Sequence, residues 1–238
     1  MSQINTQYYK TKIGELILGV SDEKLCVLDF RYRKMRTTVD NRIKKGLNAE
    51  FVEQGDDVIE KTKEQIDEYL KGDRSKFDVP ILMVGTDFQK SVWSSLMEVP
   101  YGTTSTYSQL AKDINNEKAI RAVASANGAN SIGLIIPCHR IIESKGELGG
   151  YGGGVAIKKR LLKLEQNNSI LSDDEKYEFI GSKNKRYDGR FFTAVKTTGV
   201  FCLPSCSAKK PNRENVIFYP RKEKAIENGY RACKICKP

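Results

Sequence analysis

Two close pairs of cysteines near the C-terminus constrain the fold more than any other feature of the sequence. Cys202 and Cys206 form the first pair, Cys233 and Cys236 form the second, and 26 residues separate the two pairs. Two such pairs joined by a loop are typical of a structural zinc site. Because the chain has a single histidine, His139, we expect one Zn²⁺ held by all four cysteines. Two disulfides are the alternative, which an intracellular location would disfavour.

The net positive charge of the chain lies around these cysteines. Residues 183–238 contain 14 Lys and Arg but only 4 Asp and Glu, which accounts for the net charge of +10, whereas the charges of residues 1–182 cancel. A basic block is usually a disordered tail or a module that binds a polyanion such as DNA. Its aromatic residues and cysteines argue against disorder. We therefore predict a small α/β zinc module at residues 187–238, preceded by a linker at residues 171–186.

The rest of the composition is that of a soluble globular protein. The 238 residues allow one or two domains, and 39% of them are hydrophobic while 29% are charged. The sequence shows neither a charged-then-apolar leader nor an apolar run near the ~20 residues of a membrane span. We expect a monomer without membrane contact, located in the cytoplasm, or in the nucleus if the source is eukaryotic.

The first 85 residues predict a small α/β subdomain that supports the rest of the chain. Residues 13–20 and 25–30 have the apolar character of two paired strands joined by a turn. An amphipathic helix is predicted between Ile59 and Tyr69. The stretch between the strands and this helix shows no clear period, and nothing in the region points to catalysis.

Residues 86–170 predict a mainly helical subdomain. Thr86 opens a capping box at the start of its first helix. A second helix opens at Thr106, and a third follows a tight turn and spans about residues 117–127, closed by Gly128. Two short helices across such a turn suggest a helix-turn-helix, whose second helix enters a groove of DNA.

Cys138 is the candidate reactive group because it directly precedes His139. A thiol is a strong nucleophile only as the thiolate, and a neighbouring base can remove its proton. The apolar residues 134–136 before it also allow a small buried core cysteine. In an extended strand consecutive side chains point to opposite faces, so the pair would need a turn or a bridging water to exchange a proton.

The sequence around Cys138 resembles the active site of the O6-alkylguanine-DNA alkyltransferases. Its Pro-Cys-His-Arg motif follows an apolar run, and further motifs stand on both sides in the order and spacing of that family. These motifs are Pro100-Tyr101-Gly102, Thr106 to Ala111, Ala119 to Val123, Asn130, Gly149 to Gly154 and Leu161 to Glu165. The resemblance covers residues 86–168 well and the first 85 residues loosely.

This resemblance implies single-turnover DNA repair. The alkyl group of O6-alkylguanine in double-stranded DNA, with O4-alkylthymine as a further candidate, would move irreversibly to the sulfur of Cys138. Because O6 is inaccessible inside a stacked duplex, the nucleotide would be flipped out. Glu165 would orient His139, which would take the thiol proton through a water. Asn130 would brace the active-site turn by hydrogen bonds to the backbone.

The resemblance also assigns residues that contact the DNA. Tyr107 would contact the phosphate and the base, and Arg121 would fill the gap that the flipped base leaves. Tyr151 and Gly152 would line the guanine pocket. Arg140 is a further candidate DNA contact.

The zinc module resembles that of Ada-type proteins. The motifs that carry this resemblance are Tyr187 to Phe191, Lys196 to Cys202, Arg213 to Phe218 and Gly229 to Cys233. It implies that Cys202 is both a zinc ligand and the acceptor of a methyl group from a methylated DNA phosphate, with zinc keeping the sulfur deprotonated. Thr198 and Lys209 are its candidate DNA contacts. Lys209 stands where the resemblance leads one to expect arginine, so a bidentate phosphate contact becomes a point charge.

Three functions are compatible with these features. The leading interpretation is a bifunctional alkyltransferase with two acceptors, Cys138 and Cys202. In the second, only Cys138 accepts alkyl groups and the zinc module holds DNA. The third is a damage-responsive DNA-binding regulator without repair activity, against which the presence of Cys138 argues. In the Ada arrangement the zinc module comes first and regulatory domains follow it; here it comes last, which argues against transcriptional activation.

Overall fold

The computed structural model describes residues 2–168, 172–183 and 185–238. The chain divides into two compact units, Met1–Ser169 and Ile170–Pro238. Within the described residues, no helix is both long enough and apolar enough to cross a membrane.

The first unit begins with a four-stranded sheet. Its strands are β1 (Ser2–Thr11), β2 (Gly14–Ser21), β3 (Lys24–Phe30) and β4 (Ala49–Glu53). They are arranged in the order β3-β2-β1-β4, and only the β1–β4 pair is parallel. The pair β2 and β3 agrees with the predicted strands, whereas β1 was not predicted. Most residues of β1 are polar and only Ile4 and Thr6 are buried, so it lacks the apolar alternation that reveals a strand.

Two helices pack on the sheet and bury both of its faces. Helix α1 (Arg36–Leu47) packs Val39 and Ile43 into one core cluster, and helix α2 (Asp57–Lys71) packs Ile59 and Ile66 into the other. Helix α2 agrees with the predicted amphipathic helix and ends at Gly72, whose φ is 93°. Helix α1 was not predicted, since it buries only Val39 and Ile43 and so shows almost no apolar period.

The rest of the first unit is mainly helical. Its elements are α3 (Asp87–Met97), β5 (Ser105–Thr106), α4 (Tyr107–Asp113), α5 (Ile120–Gly128), β6 (Ile141–Ile142) and α6 (Val155–Asn168). The predicted capping box is present at Thr86, and Thr106 caps α4. The third predicted helix differs in two ways. It begins as a 3₁₀ turn at Glu117–Ala119, and Gly128 ends it in helical rather than left-handed conformation.

The sheet also fixes the backbone just before Cys138. Leu28 of β3 donates its N–H to Ser131 O at 2.8 Å and accepts the N–H of Gly133 at 2.6 Å. The next residue, Leu134, is buried and has a φ of 66°, a left-handed conformation that is strained for a leucine. The N-terminal sheet therefore sets the path of the segment that carries the reactive cysteine.

The second unit is a small sheet with two short helices. Its elements are α7 (Asp173–Glu178), β7 (Phe192–Val195), β8 (Val200–Cys202), β9 (Val216–Tyr219), α8 (Lys222–Glu227) and β10 (Arg231–Ala232). The strand order is β10-β8-β7-β9. Within the described residues, its apolar core cluster contains four buried members, Phe192, Ala194, Phe201 and Ala225, and a few further apolar residues such as Tyr187 and Val216 are buried outside this cluster. A core of this size supplies little stability, so the unit needs a further source of it.

The segment predicted to be a linker, residues 171–186, is folded onto the second unit in its described part. Ser172 and Glu175 form a capping box that starts α7. The hydroxyl of Tyr177 donates to Pro211 O at 2.9 Å, and the ring of Phe179 stacks on Tyr187 with centroids 3.8 Å apart. The described part of this segment is therefore not a linker. The sequence did not indicate α7 because a six-residue helix is too short to show an apolar period.

Candidate active site and metal centre

Cys138 lies at the wall of a cavity of about 600 Å³ in the first unit. Residues Cys138–Arg140 form a 3₁₀ turn, not an extended strand. The turn leaves Cys138 half-buried and buries His139 completely. The cavity is lined by residues from β3, α4, α5 and three loops, among them Asp29, Arg33, Tyr107, Asn127, Asn130 and Tyr151.

His139 and Glu165 form a fully buried pair behind the cysteine. His139 Nε2 lies 2.8 Å from Glu165 Oε1, and both side chains are 0% exposed. The carboxylate is an acceptor, so it fixes the imidazole proton on Nε2. His139 Nδ1 is buried and has no hydrogen-bond partner among the described residues. The histidine is therefore held in the tautomer whose Nδ1 lone pair can take a proton.

Glu165 accepts hydrogen bonds from four different residues. Besides His139, they come from the Tyr69 hydroxyl at 2.6 Å, the Gly102 N–H at 2.9 Å and Arg140 Nε and Nη2, each at 2.9 Å. Burial alone would raise the pKa of Glu165. The charges and hydrogen bonds of His139 and Arg140 outweigh this effect, so the net pKa lies well below its usual range. Glu165 is a permanent anion at neutral pH.

Arg140 is buried and paired within the protein, an arrangement that disfavours the DNA contact expected from the sequence. Its side chain is only 8% exposed. Its guanidinium pairs with Glu165, and Nη1 donates to Val99 O at 2.6 Å. A buried carboxylate needs such a partner because an unpaired buried charge is strongly destabilising. Arg140 is part of the support of the catalytic pair.

The pKa values of the two groups place the proton on the thiol in the resting site. Burial raises the pKa of Cys138, although a hydrogen bond from the Asn130 amide opposes this. Burial lowers the pKa of His139, although the charge of Glu165 opposes this. The resting pair is therefore a neutral thiol beside a neutral imidazole, with a base available to accept the thiol proton.

Asn130 and Tyr107 both lie at the cavity. Asn130 Nδ2 donates to Ile136 O at 2.8 Å, and its Oδ1 accepts the N–H of Ile132 at 2.9 Å. These bonds span the turn that leads to Cys138. Tyr107, the first residue of α4, is half-buried, and burial followed by the proximity of Cys138 raises its pKa.

The glycine-rich loop forms another wall of the cavity. Tyr151 is half-buried, its hydroxyl is buried with no hydrogen-bond partner among the described residues, and its ring contacts Phe30 edge-on at 5.6 Å. Gly152 is exposed at the cavity. A Cβ on Gly153 would lie 2.5 Å from the ring of Phe30, so only glycine fits there. Arg121 is exposed on the first turn of α5.

The four cysteines of the second unit meet in one cluster. The Sγ atoms of Cys202, Cys206, Cys233 and Cys236 all lie within 4.8 Å of one another, and none of the four forms a disulfide. Four thiolates at about 2.3 Å from a tetrahedral zinc lie roughly 3.8 Å apart, so the cluster fits one zinc ion. Burial and the neighbouring sulfurs raise the pKa of Cys202 above its usual range, whereas burial of Cys233 is outweighed by hydrogen bonds from backbone and neighbouring groups, which lower its pKa to about 7.

Backbone N–H groups orient two of these sulfurs. Leu203 N–H donates to Cys236 Sγ at 3.4 Å, and Ile235 N–H donates to Cys233 Sγ at 3.4 Å. Cys206 and Cys233 are buried, whereas Cys202 and Cys236 are half-buried. The predicted contacts Thr198 and Lys209 are both exposed in this unit.

Comparison with known proteins decides the family. Residues 4–83 match the model of the 6-O-methylguanine DNA methyltransferase ribonuclease-like domain, residues 87–167 that of its DNA binding domain, and residues 175–238 the metal binding domain of Ada. Over 158 residues, 66% of this chain and 95% of the relative, the chain is 41% identical to the methylated-DNA–protein-cysteine methyltransferase of Methanosarcina acetivorans. It belongs to the methylated-DNA–protein-cysteine methyltransferase family.

Two further relatives agree with this assignment. The inducible methyltransferase of Bacillus subtilis is 47% identical over 118 residues, which cover 50% of this chain and 66% of that protein. The crystal structure of Mycobacterium tuberculosis OGT in complex with DNA is 34% identical, with a TM-score of 0.59, and covers 70% of this chain and 94% of that one. The predicted fold class and the predicted zinc cofactor are thereby confirmed.

The structure adds residues to the methyltransferase site that the sequence did not reveal. Arg33 Nη1 donates to Asp29 Oδ2 at 2.6 Å and to the backbone oxygen of Asn130 at 2.7 Å. Lys158 is fully buried and donates to Ile141 O at 2.6 Å and to Leu148 O, which ties the glycine-rich loop to β6. Tyr69 reaches Glu165 from α2. Each lies far in sequence from its partner or bonds only to backbone, so no local motif could indicate it.

Proposed function

We propose that this methyltransferase repairs DNA by moving the alkyl group from O6 of guanine to Cys138. The observation that carries the proposal is a half-buried thiol at a cavity, next to a histidine whose proton is fixed on the far nitrogen by a buried carboxylate. A histidine held in this way is the base of many nucleophilic sites. The activity in the names of its relatives requires such a thiol.

The proposed transfer balances without any further reactant. The thiol proton of Cys138 passes to His139 Nδ1, directly or through a water, and Glu165 stabilises the imidazolium that forms. The sulfur then attacks the alkyl carbon, a carbon–sulfur bond forms and the bond from that carbon to guanine O6 breaks. The departing guanine takes up one proton in place of the alkyl group, which balances the proton lost by the thiol. Cys138 becomes a thioether. Because water does not reverse this bond, each chain repairs one lesion.

The proposed route for the substrate follows the elements around the cavity. Helices α4 and α5 form the helix-turn-helix, which would enter a groove of double-stranded DNA. The exposed Arg121 on α5 would replace the flipped nucleotide in the stack. Tyr107, Tyr151 and Gly152 line the cavity that would receive the base. The alkylated nucleotide would thus face Cys138.

We also propose that Cys202 accepts a methyl group from a methylated DNA phosphate. Four cysteines hold the zinc, which when bound keeps the sulfurs deprotonated. Of the two half-buried sulfurs, that of Cys236 accepts a backbone N–H, so Cys202 is the better nucleophile. Its sulfur would attack the methyl carbon, and the phosphodiester anion would leave. The exposed Thr198 and Lys209 would hold the DNA backbone.

We also propose that the protein acts as a monomer, since the residues that support Cys138 belong to the same chain. A cytoplasmic location, or a nuclear one in a eukaryote, fits the same proposal, since DNA is the substrate and six cysteines without a disulfide suit a reducing compartment.

Replacement of Cys138 tests the main proposal. We expect Cys138→Ala to take no methyl group from O6-methylguanine DNA while its affinity for the same DNA persists, measured by intact-protein mass spectrometry and a binding titration. Cys26→Ala is the matched control, because Cys26 is a fully buried thiol whose pKa burial raises to about 12. Methyl transfer to Cys138→Ala would show that another residue is the acceptor.

A further inference from the structure

A tyrosine from the N-terminal part of the chain contacts the catalytic pair. Tyr69 lies in the last turn of α2 and is fully buried. Its hydroxyl donates to Glu165 Oε1 at 2.6 Å and lies 3.4 Å from His139 Nε2. The same oxygen, Oε1, is the partner of His139 Nε2. Helix α2 therefore supplies a donor at the oxygen that orients the base.

The hydroxyl of Tyr69 is held in place from several sides. Its ring packs at 5.4 Å from that of Phe77 and edge-on at 6.0 Å from that of Tyr101. The helix ends three residues later at Gly72, whose N–H bonds back to Glu68 and Tyr69. A ring packed in this way cannot rotate its hydroxyl to another acceptor without disturbing the core.

The hydrogen bond places the protons of the site in a defined order. Burial and the charge of Glu165 raise the pKa of Tyr69 well above its usual range, so the phenol stays a donor. Tyr69 and His139 Nε2 then both donate to Oε1, which excludes the arrangement in which Tyr69 donates to Nε2. Only with Nε2 protonated does Nδ1 remain free to act as a base.

We propose that Tyr69 is a positioning residue for alkyl transfer, whose hydroxyl fixes Glu165 Oε1 against His139 Nε2. The N-terminal subdomain then completes the active site and does more than support it. This inference rests on the proposed function of Cys138 as the alkyl acceptor. Hydrogen-bond partners that orient metal-bound histidines change activity by about 10- to 100-fold, and Tyr69 stands in a similar relation to His139.

The Tyr69→Phe variant tests the proposal because it removes one oxygen and keeps the ring. We expect the rate of methyl transfer from O6-methylguanine DNA to fall by about 10-fold at neutral pH, with unchanged affinity for DNA. Tyr9→Phe is the matched control. Tyr9 also donates to a carboxylate of α2, Asp67 at 2.7 Å, but on an exposed part of the helix. Tyr9→Phe should leave the rate unchanged.

The pH profile distinguishes positioning from a general loss of stability. Without the hydrogen bond from Tyr69, Glu165 Oε1 stabilises a protonated His139 more strongly, so the pKa of His139 rises. The acid limb of the rate profile then moves to higher pH. The other titratable and charged groups around His139 stay in place: Glu165, Arg140, Lys158, Tyr151 and Cys138. A merely destabilised variant would lose rate at every pH without such a shift.

Nuclear magnetic resonance of ¹⁵N-histidine gives a second test that needs no repair activity. His139 is the only histidine in the chain, so its signals need no assignment. In the wild type we expect the proton on Nε2, and a proton on Nδ1 would overturn the proposal even if Tyr69→Phe failed to fold. An unchanged transfer rate, pH profile and histidine spectrum in Tyr69→Phe would also overturn it. A wild type that takes no methyl would refute the proposed function instead.

Discussion

The two units of the chain each hold a half-buried cysteine, and the surroundings of the two thiols have almost nothing in common. Cys138 stands next to a buried histidine and carboxylate that can accept its proton. Cys202 has three other thiols around it and fits a metal ion. The comparison shows that a sulfur can be made nucleophilic in two ways: a base removes the proton during the reaction, or a cation removes it beforehand.

The two units also differ in what stabilises them. The first has a sheet covered on both faces with a core cluster on each side, which is enough for a domain of its size. The second has a core cluster of four buried residues. In the proposed function, the metal site would supply both the stability of the second unit and the reactivity of Cys202. In the first unit, folding and reactivity depend on separate sets of residues.

Zinc removal should produce the largest difference between the two units. We expect a chelator that strips the metal to unfold the second unit and to abolish methyl transfer to Cys202, because four thiolates within 4.8 Å of one another repel without the zinc between them. Transfer to Cys138 should continue at its normal rate. Circular dichroism, metal analysis and mass spectrometry of the same sample would show this. Equal loss of transfer at both cysteines would mean that the two sites are not independent.

Glu165→Gln should have the next largest effect, and only at Cys138. The amide can no longer stabilise an imidazolium, so we expect the transfer rate from O6-methylguanine DNA to fall by about 10²-fold or more. The buried Arg140 also loses its partner, which should destabilise the first unit by about 3–5 kcal/mol. Single-turnover kinetics and thermal unfolding measure the two effects.

The exposed Glu147→Gln is the control for Glu165→Gln and should change neither measurement. If Glu165→Gln transferred methyl groups at the wild-type rate, the histidine–carboxylate pair would have no part in activating Cys138.

The pH dependence should show a smaller difference between the two thiols. His139 must be neutral to accept a proton, and burial lowers its pKa, so transfer to Cys138 should fall only below the ordinary range of histidine. Transfer to Cys202 has no such base and should stay level across the same pH range. Rates measured at both cysteines in one buffer series would show the contrast. If the rate of transfer to Cys202 fell at the same pH as the rate of transfer to Cys138, one titrating group would control both sites.

Much of this arrangement can be predicted from local sequence. The spacing of the four cysteines predicts the metal cluster because close pairs need few other residues to meet. Helix α2 and the capping box at Thr86 are predicted because their signals lie within one or two turns. Strand β1 and helix α1 are missed because partial burial leaves them mostly polar.

The support of the active site could not be predicted in the same way. Tyr69 looks like an ordinary core position of an amphipathic helix, and its partner Glu165 lies 96 residues away. Arg140 is a candidate DNA contact in the sequence, where nothing indicates that it is buried. Its burial depends on Glu165 and Val99, which only the fold brings together.

The most direct test of the account is a count of methyl groups on the intact chain. The wild-type protein would be incubated with DNA that contains O6-methylguanine, with DNA that contains a methylphosphotriester, and with both, and the modified peptides would then be mapped. We expect one methyl on Cys138 from the first DNA, one on Cys202 from the second, and both from the mixture. Methylation of one cysteine by both DNAs, or of neither cysteine by either, would contradict two separately activated thiols.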